Sequence, residues 1–184
     1  MTRRRQRAFS LVELAAVLAI AAVLTSVALP DLRQMIRSHR LKAAVGDLFG
    51  AIDLARSLAI ARGRKVLLVP ADAATLDWSG GWLVFVDEDG DRRPGAAEEV
   101  ILRHGPAGED IVVSATFSSQ QGTPYLAYNS MGRSCSDTSS LAARWGTMSL
   151  AMGARARRIK INMLGRARIC DPARDGPSCG GDDP

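Results

Sequence analysis

The sequence predicts an α+β protein in which a long N-terminal helix packs on an antiparallel β-sheet domain. Two observations predict this fold. An uninterrupted apolar stretch, followed by apolar residues at helical spacing, extends to about residue 62. Short segments rich in β-branched and aromatic residues, separated by Gly, Pro, Asp and Ser, then fill most of the remaining chain. With 184 residues, the chain has room for one such domain and an appendage.

Composition excludes several classes of protein. Apolar residues form 47% of the chain and charged residues 23%, so the chain is not a disordered tail. The three cysteines exclude a disulfide-dense miniprotein, and no CxxC or Cys/His spacing supports a structural zinc site. The net charge of +5 is concentrated at the two ends, because residues 1–8 carry four arginines and residues 144–184 carry a net charge of +4.

The first helical stretch has the length of a membrane span. The apolar run of residues 9–29 contains 21 residues. As a helix it would be roughly 31 Å long at about 1.5 Å per residue, close to the roughly 30 Å hydrocarbon core of a bilayer. Since positively charged flanks stay in the cytoplasm, the arginines before it would place the rest of the chain outside the cytoplasm.

One acidic residue, Glu13, interrupts this run. An uncompensated charge in the middle of a membrane costs about 2.5–3.5 kcal/mol on insertion scales. Glu13 therefore either lies near the headgroups or needs a cationic partner in the membrane. A secreted soluble protein with a conventional signal peptide is an alternative, because residues 26–28 form a small-x-small cleavage site. Against that alternative, the run exceeds the usual length of about 7–15 apolar residues.

The residues around this acid resemble a known processing motif. Ala8-Phe9-Ser10-Leu11-Val12-Glu13 is similar to the cleavage motif of type IV pilins and type II secretion pseudopilins, although that family usually has Gly where this chain has Ala8. The resemblance implies a pilin-like fold, and cleavage of leader residues 1–8 between Ala8 and Phe9 by a prepilin peptidase. It also implies N-methylation of Phe9 and pairing of Glu13 with the N-terminal amine of a neighbouring subunit. Pro30 matches a family position, where proline would kink the helix.

The remaining elements follow in order. Residues 9–30 are expected to form the transmembrane helix segment and residues 31–63 its amphipathic continuation, which ends at the C-cap Gly63. Residues 64–171 are expected to form the antiparallel β domain, and residues 172–184 a mobile tail rich in Gly, Pro and Asp. The predicted strands are Lys65–Val69, Trp82–Asp87, Val100–Arg103, Ile111–Phe117, Tyr125–Tyr128, Thr147–Met152, Arg158–Met163 and Ala167–Cys170.

A second resemblance is specific to a subgroup. Residues 77–91 contain the pattern Trp-x-x-Gly-Trp-x-Val-Phe-x-Asp followed by an acidic turn. This pattern resembles the minor pilins and pseudopilins of the GspH/FimT/FimU type. Together with the N-terminal motif, the resemblance spans about residues 8–169. It implies a structural subunit and not an enzyme.

Several other residues of types found in functional sites are predicted to be structural. Asp87, Asp89 and Asp91 alternate as in a calcium loop, but the sixth position is Arg92 where such loops have Gly. The interpretation is a hairpin turn with solvated carboxylates, and no metal or cofactor is assigned. The tryptophans at positions 78 and 82 and Phe85 are expected to pack in the core. His39 and His104 lack a serine or cysteine at the spacing of a hydrolytic motif.

The cysteines predict one disulfide if the domain lies in an oxidising compartment. Cys135–Cys170 is the favoured pairing, because it would attach the last strand to an earlier loop. Cys170–Cys179 is the alternative and would close the tail.

A basic cluster occupies the C-terminal part of the domain. Its members are Arg155, Arg157, Arg158, Lys160, Arg166, Arg168 and Arg174. In Gly165-Arg166-Ala167-Arg168 the two arginines alternate, so on a strand they would face the same side and could bind successive phosphates. This Gly-Arg-x-Arg element resembles the DNA-binding motif of FimT-type minor pilins. Gly165, Arg166, Arg168, Arg158 and Lys160 are therefore candidate DNA-binding residues. The alternatives are a solvated face or salt bridges to neighbouring subunits.

Together these features predict a minor pilin or pseudopilin. Its precursor would cross the bacterial inner membrane once, with the globular domain in the periplasm. The expected partners are prepilin peptidase, the inner membrane and other pilin or pseudopilin subunits, with DNA as a further partner if the Gly-Arg-x-Arg element binds it. Two functions remain open: assembly of a type II secretion pseudopilus or type IV pilus, and capture of DNA for uptake.

Overall fold

The computed structural model describes residues 11–72, 74–96, 98–119 and 124–180. Helix α1 spans Leu11–Arg62, and Gly63 ends it with a φ of 63°, so the predicted end of the helix is confirmed. The chain divides into two compact units, residues 1–39 and residues 40–184, and α1 contributes to both. In the part of the chain that is described, no helix reaches the length and apolarity of a membrane span.

Nine strands follow the helix within the described residues. They are β1 (Val66–Pro70), β2 (Trp82–Val86), β3 (Val100–His104), β4 (Val112–Phe117), β5 (Leu126–Tyr128), β6 (Ser134–Cys135), β7 (Gly146–Met152), β8 (Arg155–Ile161) and β9 (Ala167–Cys170). Eight of them correspond to predicted strands, with ends that differ by up to three residues. The sequence did not predict β6, which has only two residues.

The strands form two antiparallel sheets, whereas the sequence predicted one. The first sheet has the order β3-β2-β1-β5-β6 and the second has the order β4-β7-β8-β9. Every strand pair in both sheets is antiparallel. The division arises because β4 pairs with β7, and not with the preceding strand β3. Strand pairing across such a separation leaves no local pattern in a sequence.

The main core lies within residues 40–184. One face of the amphipathic part of α1 supplies Leu41, Leu48 and Ile52, each at most 2% exposed. Both sheets contribute to the same cluster, for example through Leu68 and Met148. The helix therefore packs on the sheets as predicted, and its burial of apolar area stabilises the unit.

The first sheet is buried on both faces. Leu67, Phe85 and Tyr125 form a second apolar cluster, separate from the one that contacts α1. This explains why β1 and β2 are continuously apolar instead of alternating. The predicted core role of Trp78, Trp82 and Phe85 agrees with their exposure of 2% or less.

The two histidines lie at different places. His104 stacks on the Trp82 ring with centroids 4.1 Å apart, and its Nε2 is 3.7 Å from a carboxylate oxygen of Asp47. His39 is exposed on α1.

The favoured disulfide pairing was wrong. The structure joins Cys170 to Cys179 with a Cα–Cα distance of 5.7 Å, which is the alternative pairing. Cys135 is a buried free thiol in β6 of the first sheet, whereas Cys170 ends β9 of the second. The two residues belong to different sheets, and a local reversal of the chain after β9 returns Cys179 to Cys170 instead.

That reversal lies in the segment predicted as a mobile tail. It consists of helix α2 (Pro172–Asp175) and a 3-10 helix (Gly176–Cys179). Asp171 caps α2, because its carboxylate accepts a hydrogen bond of 3.0 Å from the backbone N–H of Ala173. Residues 181–184 lie outside the described residues.

Candidate functional site

The N-terminal unit exposes a continuous apolar surface. Among the described residues of this unit, the exposed large apolar side chains range from 42% exposed at Ile36 to 84% at Leu11. The exposed set comprises Leu11, Val12, Leu14, Val17, Leu18, Ile20, Leu24, Leu32, Met35 and Ile36. Soluble single-chain proteins rarely expose so much contiguous apolar area, so this surface is suited to contact with other helices or lipid.

The residues predicted to direct assembly are placed only in part. Glu13 lies in the first turn of α1, among the exposed apolar side chains. The backbone helix continues through Pro30, where the expected kink stays a prediction. Ala8 and Phe9, predicted to flank the cleavage site and the methylated N-terminus, lie outside the described residues.

The candidate DNA-binding residues meet at the hairpin that joins β8 to β9. Lys160 lies opposite Arg168, and Arg158 opposite Cys170, in the antiparallel register. Because side chains alternate along a strand, Arg158, Lys160 and Arg168 share one face of the second sheet. Arg166 directly precedes β9 and is exposed. Lys160, Arg166 and Arg168, together with Asn162, line a groove at this hairpin.

Gly165 fits this hairpin because of its conformation and its close neighbours. Its φ is 77°, a region that favours glycine, and its N–H donates to the Asn162 carbonyl at 2.9 Å. A Cβ at this position would lie 2.4 Å from the carbonyl oxygen of Gly132 and 2.9 Å from the amide nitrogen of Ser134. The hydroxyl of Tyr128 also donates to the Gly165 carbonyl at 3.2 Å.

Asn162 is a turn residue that the sequence analysis missed. Its side-chain oxygen accepts hydrogen bonds from the backbone N–H of Leu164 at 3.1 Å and of Arg166 at 2.9 Å. The spacing of Asn162 and Gly165, both frequent in turns, is the signal that could have identified it. The turn thus fixes the backbone on which Arg166 is presented.

Three of the basic side chains contact the C-terminal segment. Arg158 donates to the Cys179 carbonyl at 2.9 Å, Lys160 to the Gly180 carbonyl at 3.4 Å, and Arg168 to the Ser178 carbonyl at 2.5 Å. Lys160 is only 6% exposed as a result. Three of the predicted DNA-binding residues, Arg158, Lys160 and Arg168, therefore hold residues 178–180. Of these three only Arg168 is exposed, and it lies beside the exposed Arg166.

A buried charged cluster covers the outer face of the first sheet, which sequence reasoning also missed. Asp137 accepts hydrogen bonds from Arg92 at 2.5 Å and from the hydroxyl of Tyr125 at 2.7 Å. Burial alone would raise the pKa of Asp137, but hydrogen bonds from Arg92, Tyr125 and Ser136 outweigh it and hold that pKa well below its usual range. The carboxylate therefore stays charged and anchors the loop after β6.

Arg144 completes the cluster. It is 2% exposed and lies 3.7 Å above the centroid of the Tyr125 ring and 4.9 Å from that of Phe117. Burial lowers the pKa of Arg144, and the contacts with the aromatic faces offset part of the cost of its desolvation. These contacts join the loop that carries Arg144 to the aromatic rings of Tyr125 and Phe117.

Two family models match this chain, and together they cover most of it. Residues 44–165 match the family described as Type II transport protein GspH, and residues 3–29 match the prokaryotic N-terminal methylation motif. A search of curated protein sequences found no match.

Two proteins of known structure share the fold. The type IV minor pilin FimU of Pseudomonas aeruginosa is 15% identical with a TM-score of 0.55, and the alignment covers 74% of this chain and 92% of FimU. The minor pseudopilin EpsH of the Vibrio cholerae Type 2 Secretion System is 14% identical with a TM-score of 0.51, covering 73% of this chain and 99% of EpsH.

Proposed function

Since the chain belongs to the GspH family of type II transport proteins, we propose that it is a structural subunit of a type II secretion pseudopilus or a type IV pilus. It assembles through its N-terminal helix and has no catalytic role. The observation that carries this proposal is the methylation motif over residues 3–29, which overlaps the part of α1 whose large apolar side chains are exposed. A filament core made of packed helices would bury these side chains.

The precursor route follows from the same segment. The chain enters the bacterial inner membrane with its arginine-rich start in the cytoplasm and its globular domain in the periplasm. Prepilin peptidase then cuts between Ala8 and Phe9, and the new N-terminus is methylated. The amine released by the cut is the cation that Glu13 of a neighbouring subunit needs in a medium of low dielectric constant.

The mass of the mature N-terminal peptide tests this route. For the native full-length protein isolated from membranes, we expect the chain to begin at N-methylated Phe9. The Ala8→Gly variant, which restores the usual family residue, should give the same peptide and serves as the control. A chain that begins at Leu29, after cleavage at the small-x-small site, would refute the pilin route and favour a conventional secreted protein.

DNA capture is a second candidate function. It is supported by the groove lined by Lys160, Arg166 and Arg168, and by the exposure of the two arginines on one hairpin. Guanidinium groups on adjacent positions of one face can each contact a phosphate. Binding of this kind would be directed at the DNA backbone and would be weakened by salt.

Salt dependence distinguishes phosphate contacts from a merely basic surface. We expect Arg166→Ala and Arg168→Ala each to weaken duplex binding by the full-length protein. Each lost contact should reduce the slope of log affinity against log salt by roughly 0.9. Arg155→Ala, an exposed arginine at the far end of β8, is the matched control and should leave the slope unchanged. Equal binding by the double variant and the wild type would reject the hairpin as the DNA site.

A further inference from the structure

The loop between β2 and β3 contains a cluster of four carboxylates. Asp87, Asp89, Asp91 and Glu98 each place an oxygen within 4.8 Å of an oxygen of the other three. In the described part of the chain, none of the four forms a salt bridge. Carboxylates at this separation repel one another, so the arrangement favours a bound cation.

A buried, unpartnered atom points to a ligand. Asp87 is only 7% exposed, and its Oδ2 has no hydrogen-bond partner among the described residues. Its Oδ1 accepts a hydrogen bond of 2.9 Å from the N–H of Gly90, which holds the carboxylate towards the loop. A buried carboxylate oxygen without a partner carries a large desolvation penalty. A cation shared with the other carboxylates would remove that penalty.

The spacing is that of a calcium loop. The carboxylates occupy positions 1, 3, 5 and 12 of a twelve-residue loop that begins at Asp87, and Arg93 supplies the carbonyl of position 7. Glu98, at position 12, is oriented by two backbone donors, because it accepts from Glu88 at 2.7 Å and from Gly95 at 2.9 Å. Each of its oxygens retains a further lone pair for a cation.

The residue that argued against calcium in the sequence adopts the required conformation. Arg92 at position 6 has a φ of 64°, the left-handed conformation for which calcium loops use Gly. Its Nε lies 2.5 Å from Asp137, and its guanidinium lies 4.6 Å from the centroid of the Tyr125 ring. These contacts direct the side chain into the buried charged cluster and stabilise a backbone conformation that arginine rarely adopts.

The neighbouring cations also have other partners. Lys65, whose charge acts on Asp87, donates its ammonium group to the backbone carbonyl of Asp137. Arg64 pairs with Glu88, which is not one of the four carboxylates. Among the described residues, neither Lys65 nor Arg64 therefore forms a salt bridge with one of the four carboxylates.

We propose that this loop binds one calcium ion through the carboxylates of Asp87, Asp89, Asp91 and Glu98. The donor set consists only of oxygens, which hard divalent cations prefer, and four carboxylates exceed the one or two that usually hold magnesium. Bound calcium would order the loop that ends at Glu99, whose carboxylate pairs with Arg62 at the C-terminal end of α1. This inference does not depend on which filament the protein joins.

Calorimetric titration of the chelator-treated full chain in detergent tests the site. We expect one calcium ion to bind with a dissociation constant of about 10⁻⁵–10⁻³ M, and the melting temperature to rise with calcium concentration. Glu98→Gln and Asp89→Ala should each weaken binding at least tenfold. Asp89 is exposed and bonds only locally, to the N–H of Asp91, so the second variant should fold even if the first does not.

The control is Glu109→Ala, an exposed acid outside the loop, which should bind calcium as the wild type does. No binding by the wild type would overturn the proposal. Unchanged binding by Asp89→Ala and Glu98→Gln would overturn the assignment of the ligands. An equal rise in melting temperature with magnesium would overturn the assignment to calcium.

Discussion

Replacing Gly165 with alanine is expected to lower the free energy of unfolding by about 2–5 kcal/mol. Two costs add. A non-glycine residue at the φ of 77° costs about 1–2 kcal/mol, and the new methyl group adds about 1–3 kcal/mol of overpacking. The carbonyl oxygen of Gly132 and the amide nitrogen of Ser134 would lie 2.4 and 2.9 Å from the added carbon. Both are backbone atoms, so the clash cannot be relieved by moving a flexible side chain.

Thermal unfolding of the full-length variant measures this cost. A decrease in melting temperature of roughly 4–20 °C is expected, at about 2–4 °C per kcal/mol for a protein of this size. Gly153→Ala is the matched control, because Gly153 also has a positive φ, 57°, on the neighbouring hairpin but has nothing within 4 Å of the added carbon. If both variants lose the same stability, close packing at Gly165 is not the cause.

This expectation changes the interpretation of the Gly-Arg-x-Arg element. Gly165 packs against the turn near β6, so its identity is explained by the fold, whatever the arginines bind. A loss of DNA binding in Gly165→Ala would therefore report the shape of the hairpin. Substitution of the exposed Arg166 tests the charge itself, whereas Arg168 also donates a hydrogen bond to the Ser178 carbonyl.

Local patterns predicted most of the fold. The spacing of apolar residues predicted α1 to its end at Arg62, and β-rich segments bounded by turn residues predicted eight strands. The division into two sheets was not predictable, because it depends on the pairing of β4 with β7, which are separated by 28 residues from Phe117 to Gly146. Contacts between distant segments leave no periodicity in either segment.

The candidate site was predictable only in part for a related reason. The alternation of Arg166 and Arg168 indicated a basic strand, but not that Arg158 and Lys160 contact carbonyls near the C-terminus. In the acidic loop, Arg92 at the position of the usual Gly argues against calcium, because the sequence does not show that Asp137, 45 residues later, holds the side chain of Arg92. In both cases, a contact between residues distant in the sequence determines whether the residues of the local pattern are available to bind a ligand.

The second large effect is expected for Glu13→Ala, which should reduce incorporation into filaments at least tenfold. In the proposed assembly, Glu13 pairs with the amine of Phe9 on a neighbouring subunit. Two such charges 4 Å apart attract by about 4 kcal/mol at an effective dielectric constant of 20. Glu13 lies in the first turn of α1 among exposed apolar side chains, so in a packed filament the variant would leave the amine without its counter-charge.

Comparing sheared filaments with the membrane fraction by immunoblot measures this effect. The variant should fold and enter the membrane at least as well as the wild type, because it lacks a charge that costs about 2.5–3.5 kcal/mol in mid-membrane. Glu13→Asp, which keeps the charge on a shorter side chain, should retain part of the incorporation. A variant that accumulates in the membrane but not in filaments would place the defect at assembly. Normal incorporation of Glu13→Ala would show instead that helix packing alone joins the subunits.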